Sequence, residues 1–309
     1  MTLAARRLSA GVVLVGASAW ALAWLLAGRQ AAPAESAVRA VADVAAAAVL
    51  GLAVLPTLDE ARHRAELIRA AAGPAAVAAV VWLLAEALRL TLSAAHAADV
   101  ALPRLRLHTV AEFATTVGGR AALLSLTAAA MVCLLALAPA RTRGATRVPL
   151  AASATLGLCA RAVSGHAGES VLGAAAIVVH ILAAALWCGL LVAIAMTVSH
   201  RGQWARMLPR FSGLALVCVA VLLAAGSTGA LVTVPSVSAL LVTGYGRLLL
   251  AKIAVAAALV LLGWLNRTRW LPAARGHRMA AEQSRRRAQR ELVLMVVALT
   301  LAAALAVAG

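Results

Sequence analysis

Nine runs of mostly apolar residues, each about as long as a membrane's hydrocarbon core is thick, decide what this 309-residue chain can fold into. They fall at roughly 8–27, 37–56, 71–94, 119–138, 148–164, 171–198, 212–234, 247–265 and 291–308. A crossing helix needs about 20 such residues, with a range of about 17–25. The expected fold is therefore all-α, a polytopic membrane protein of about nine transmembrane helices. Composition agrees: 64% of residues are hydrophobic and 13% charged, against about 45–50% and about 25% in soluble domains. Polar surface on that scale could not cover a core, which excludes soluble-enzyme, disordered, collagen-like and disulfide-stapled classes. Pro33, Pro56, Pro103, Pro139, Pro149, Pro209, Pro235 and Pro272 sit in or beside connections, as helix breakers should. Arg6 and Arg7 precede a run longer than the about 7–15 apolar residues of a secretory signal, so it is expected to remain as the first span. Arg161 interrupts the end of the fifth run, the weakest of the nine.

The formal charge of +17 would suggest nucleic acid in a soluble chain. Here the cations fall mainly in connections, where they set topology, and no nucleic-acid partner is expected. Nineteen arginines lie on one side of the predicted bundle and six on the other. The positive-inside rule then puts the N-terminus in the cytoplasm and the C-terminus outside. Eight of the nineteen are in the connection before the last span, which either fixes topology or also binds anionic lipid.

An ionisable group within a span costs about 2.5–3.5 kcal/mol on insertion scales, so each is a functional candidate. Asp43, Glu86, Arg89, Arg161, His180 and Lys252 lie inside spans, with Arg39 and Glu291 at span ends. In the predicted orientation the six interior groups all fall in the outer half, and the outer connections add His96, Asp99, His108, Glu112, His166 and Glu169. Trp82, Glu86, Arg89, Ser93 and His96 recur along one helix face, and Arg39 and Asp43 are one turn apart. These pairs either make insertion tolerable or contribute directly to ligand or proton chemistry. Lys252, the only lysine in a chain whose other cations are all arginine, either snorkels to the headgroups or pairs with Asp43 or Glu86.

His166 and His180 are the sharpest candidates for metal ligands. His166 sits in the glycine-flanked stretch Ser164-Gly165-His166-Ala167-Gly168-Glu169, and His180 follows in the outer part of the sixth span with Trp187 seven residues on. Imidazole suits copper, zinc, iron and nickel, with nearby carboxylates such as Glu169, Asp43 and Glu86 compensating charge. Cys133, Cys159, Cys188 and Cys218 all lie in apolar runs without a CxxC pair and read as small buried hydrophobes. Cys188 and Cys159 are the deeper soft-ligand alternatives. Only Met131, Met196 and Met295 lie in spans, so no thioether array is present.

From about residue 148 to 309 the chain resembles the copper resistance D (CopD-type) membrane family. The resemblance rests on Gly165-His166-Ala167, the stretch from His180 to Trp187, Arg210-Phe211-Ser212, Tyr245-Gly246-Arg247 with Lys252, Asn266-Arg267 and Glu291. One departure is Cys188-Gly189-Leu190, where the family usually has an apolar residue and two glycines. Residues 1–147, the first four helices of what is expected to be a single helical membrane domain, are similar in hydropathy and helix count only. The resemblance implies a bacterial plasma (inner) membrane protein of copper uptake or copper tolerance. It also implies ligands facing the exterior, and a separate periplasmic copper carrier or oxidase-assembly protein as a partner besides the lipid bilayer.

The reading is thus a non-enzymatic protein that binds copper, in an oxidation state left open, through His166 and His180, and moves it inward or passes it on. Asp43, Glu86, Arg89, Glu169, Trp187 and Lys252 stand around that site. Two alternatives remain at this level: an assembly factor without a transport cycle, and a haem-binding electron-transfer protein with histidine axial ligands. No HExxH, GxSxG or P-loop is present, so hydrolysis and ATP-driven pumping have no support.

Overall fold

The structure, a computed structural model, describes residues 3–28, 33–139, 142, 144–160, 171–233, 239–276 and 279–308. Among these, every regular element is a helix: α1 (Leu3–Ala27), α2 (Pro33–Val54), α3 (Arg64–Ala97), α4 (Leu107–Thr115), α5 (Val117–Ala136) and α6 (Arg147–Ala160) come first. They are followed by α7 (Val171–Thr197), α8 (Arg201–Thr233), α9 (Ala239–Val242), α10 (Gly244–Leu265), α11 (Leu271–Arg275) and α12 (Ala281–Ala308). A single π-helical stretch, Asn266–Trp270, joins α10 to α11. Seven helical segments among the described residues are long and apolar enough to cross a membrane, and Val15–Ala27 and Arg147–Ala160 are shorter apolar helices. The two short ones match the first and fifth of the nine expected spans.

Local chemistry sets the helix ends. Thr116 caps α5 by accepting from the Gly119 N–H at 3.0 Å, and Thr243 caps α10 by accepting from the Gly246 N–H at 2.9 Å. α3 closes with the Val100 N–H donating to Ala95 and the Asp99 N–H to His96. Asp99 takes the left-handed position at φ 52°, which Asp tolerates better than most residues. Two helices run well past their apolar runs: α3 starts at Arg64 and α8 at Arg201, so Pro74 and Pro209 lie inside helices. Pro209 thus belongs to a helix rather than to a connection.

α2 and α7 form the centre of the bundle and touch backbone to backbone. A Cβ on Gly51 would overlap the Gly189 carbonyl, and one on Gly189 would overlap the Ala47 carbonyl. The close approach that the Cys188-Gly189-Leu190 departure put in question is therefore made by one glycine on each helix, with Leu190 fully buried beside it. Alanine-rich faces of α2, α3, α5 and α6 form a second packed region, where Gly157 leaves room for the Trp82 ring. α1, α10 and α12 form a third.

At the arginine-rich end, polar side chains tie the extended helices together. Arg206 of α8 makes two hydrogen bonds to the Asp59 carboxylate, at 3.0 and 3.1 Å, and Arg210 donates to the Leu58 carbonyl at 2.8 Å. Arg147 donates to the Ala53 carbonyl and Gln203 to Glu66. Asp59 is only 1% exposed. Burial alone would push its carboxyl up, but the Arg206 hydrogen bonds and the Glu60 N–H outweigh it and hold the carboxyl below the usual range.

Two outcomes follow from this packing. Gly189→Ala is expected to destabilise the protein by about 1–3 kcal/mol or more through overpacking, whereas Gly263→Ala, which meets open space, leaves thermal unfolding in detergent nearly unchanged. Because the Asp59 carboxyl is lowered in the fold, its contribution is complete above the ordinary carboxylate range and is lost as pH falls through the folded value. Melting temperature of the wild type should drop in that acid window, and Asp59→Asn, less stable at neutral pH by about 1.5–3 kcal/mol, should show a flatter acid profile.

Candidate metal and charge site

Among the described interior ionisable groups, Asp43, Glu86 and Arg89 join Arg39 in one connected cluster in the half of the bundle opposite the arginine-rich end. Arg39 and Asp43, one turn apart on α2, approach to 3.6 Å. On α3, Glu86 accepts from Arg89 at 2.7 Å and from the Trp82 indole N–H at 3.4 Å. Arg89 also reaches across to Asp43, at 3.8 Å. Glu86 is 1% exposed and Arg89 7%, so each charge in this two-helix group is answered by an opposite one. A buried pair of this kind offsets its own desolvation cost and adds little net stability, while removing one partner is costly.

Lys252 of α10 makes no ion pair with Asp43 among the described residues. Its charge acts on His180, and that of Arg39 acts on it. His180 stands on α7 with its ring against α8, the Leu222 carbonyl close to the imidazole and Gly226 directly beneath it. A Cβ on Gly226 would sit 3.5 Å from the ring. The His180 Nδ1 is buried and has no hydrogen-bond partner among the described residues.

His166, Glu169 and Arg161 lie outside the described residues. Among those described, no three His, Cys, Asp or Glu side chains come close enough to hold a metal ion. The structure thus brings together Asp43, Glu86 and Arg89. Trp187 belongs elsewhere: two turns along α7 from His180, it faces Glu291 of α12. The thiol of Cys188 is a neighbour of the same carboxylate and of Cys218. Sequence spacing anticipated the two intrahelical pairs. It missed the Arg89–Asp43 contact and the His96–Glu35 pair at 3.5 Å, since neither is encoded in the period of a single helix. His96 closes the polar stripe of α3 at the surface, lining an open cleft with Asp99.

A charge-removal series checks the structural share of this cluster. Arg89→Leu should lower stability by about 3–5 kcal/mol, because Glu86 is left buried beside a missing partner. Glu86→Met combined with Arg89→Met should recover most of that loss, measured as melting temperature in detergent.

Two family models match the chain. Residues 30–174 match the one described as Copper resistance protein D-like, N-terminal domain, and residues 205–305 match Copper resistance protein D. The match to the first half extends the likeness beyond the region whose motifs carried it. No curated protein and no solved structure matches.

Proposed function

The chain belongs to the copper resistance protein D family, and from that premise we propose that it binds copper in the half of the membrane bundle that holds His180 and moves it inward or passes it on. The observation that supports this best is the His180 imidazole, whose Nδ1 is buried against Gly226 of α8 without a hydrogen-bond partner among the described residues. Imidazole nitrogen is a good copper ligand, and a buried nitrogen that no protein group uses is available to one. Asp43 and Glu86 are already held by Arg39 and Arg89, so they shape the site and do not neutralise an arriving cation. Lys252 adds positive charge next to His180. A further carboxylate and ligand are assigned to Glu169 and His166, which precede α7 in the sequence.

The arginine-rich end faces the cytoplasm in this reading, so the His180 half opens to the exterior of a bacterial inner membrane. A separate periplasmic copper carrier or oxidase-assembly protein would deliver or receive the ion there.

Copper stoichiometry and the visible spectrum of detergent-purified protein, measured together after copper loading, test the proposal. Wild type should hold about one copper per chain, and His180→Ala and His166→Ala should each lose it. Full copper retention in both variants overturns the ligand assignment, and a Soret band would replace it with haem ligation.

A further inference from the structure

At the arginine-rich end the protein carries more positive charge than its own carboxylates answer. Among the described residues there, Asp59 is held by Arg206, Glu60 by Arg62 and Glu282 by Arg286, while Glu66 accepts from Gln203. Arg267, Arg269 and Arg275, around the bend from α10 to α11, are exposed and make no ion pair among the described residues.

The bend sits where a membrane has its headgroups. α10 has 22 residues, about 33 Å at 1.5 Å per residue, which matches a hydrocarbon core of about 30 Å. Trp264 stands in its last turn and is 61% exposed, the placing an amphipathic indole takes at the membrane boundary. In the π-helical stretch that follows, Asn266 and Trp270 are buried, and Arg267, Thr268 and Arg269 are exposed together.

Arg267 is held ready for a ligand. Its Nη1 donates to the Ser212 carbonyl at 3.2 Å and to the Ser212 hydroxyl at 3.0 Å. That contact joins two helices that otherwise pack on different neighbours, α8 on α7 and α11, α10 on α12 and α1. A guanidinium offers five N–H donors in a rigid fork. The contact with Ser212 occupies one nitrogen, and Nε and Nη2 make no hydrogen bond among the described residues. Two oxygens of a phosphate match such an edge, and orienting the fork beforehand lowers the entropy lost on binding. Toward the bilayer centre from Ser212 and Trp264, Leu216 and Leu261 are each more than half exposed and supply an apolar flank.

We propose that this bend binds an anionic phospholipid, with the phosphate on Arg267 and Arg269 and an acyl chain along Leu216 and Leu261. The unanswered charge calls for an anion, and the apolar flank calls for one that carries a tail. Trp264 marks the level between the two. The site is independent of the copper reading.

Native mass spectrometry of the full chain, released from mixed micelles holding equal phosphatidylglycerol and phosphatidylcholine, tests this. Wild type should retain phosphatidylglycerol in preference. Arg269→Gln should cut that preference about fivefold and the Arg267→Gln, Arg269→Gln double variant about 25-fold, at about fivefold per cation near an anionic surface. Arg267→Lys, which keeps the charge without the fork, should fall between wild type and Arg267→Gln. Arg201→Gln removes an exposed arginine at the start of α8 and should leave the preference intact. Should Arg267→Gln fail to fold, Arg269→Gln carries the test, because Arg269 makes no hydrogen bond among the described residues. Equal retention of the two lipids by wild type overturns the proposal, as does an unchanged preference in Arg269→Gln. A loss in Arg201→Gln as large as in Arg269→Gln reduces the effect to net charge and overturns it too. Displacement of phosphatidylglycerol by inorganic phosphate would make free phosphate the ligand and overturn the lipid assignment.

Discussion

The contact between Gly51 of α2 and Gly189 of α7 fixes the levels of Asp43 and His180 relative to each other. With no Cβ on either side the two backbones meet directly, so the helices can neither slide nor rotate against each other without a clash. α2 and α7 both begin at the end away from the arginine-rich face. Asp43 stands eight residues before Gly51, and His180 nine before Gly189. At 1.5 Å per residue both lie about 12–14 Å above the crossing. The same crossing puts Cys188 and Trp187 at the level of Glu291. Two polar levels on one pair of helices thus follow from one glycine contact.

Around that crossing, lipid supplies no partner for charge or for backbone polar groups, and the residues that carry the family likeness turn out to join helices. Arg210 donates to Leu58, Arg247 to the Leu26 carbonyl at the end of α1, and Arg267 to Ser212 of α8. Asn266 donates to Glu291. Their side chains bridge elements far apart in sequence, so losing one would misplace a helix even where no ligand is touched. His180 differs from them in having a ring nitrogen that no described group uses.

The legible part of the fold was whatever a single helix encodes. Apolar runs located the helices, and turn spacing located Arg39–Asp43 and Glu86–Arg89. The starts of α3 at Arg64 and α8 at Arg201 were not legible, because those first turns are polar and project beyond the apolar stretch. Nor was the Asp59–Arg206 bond that ties them together. Which helix faces which is a property of three dimensions, so Lys252 could be matched to Asp43 or Glu86 on charge alone. In the structure Arg39 and Arg89 both already approach Asp43.

Between the two polar levels α7 carries only Ile181, Leu182, Ala183, Ala184, Ala185 and Leu186. A charge travelling from His180 toward Glu291 along this helix would cross about 10 Å without a polar side chain from α7. Binding and handing on an ion at one face needs no such crossing, whereas inward movement requires helices to separate. The Gly51–Gly189 contact fixes α7 against α2, so the separation would have to occur at another of its boundaries. At the α8 boundary Gly226 lies against the His180 ring, and even a Cβ there would meet it only at ordinary van der Waals distance. His180 therefore faces a boundary of α7 other than the interlocked one with α2.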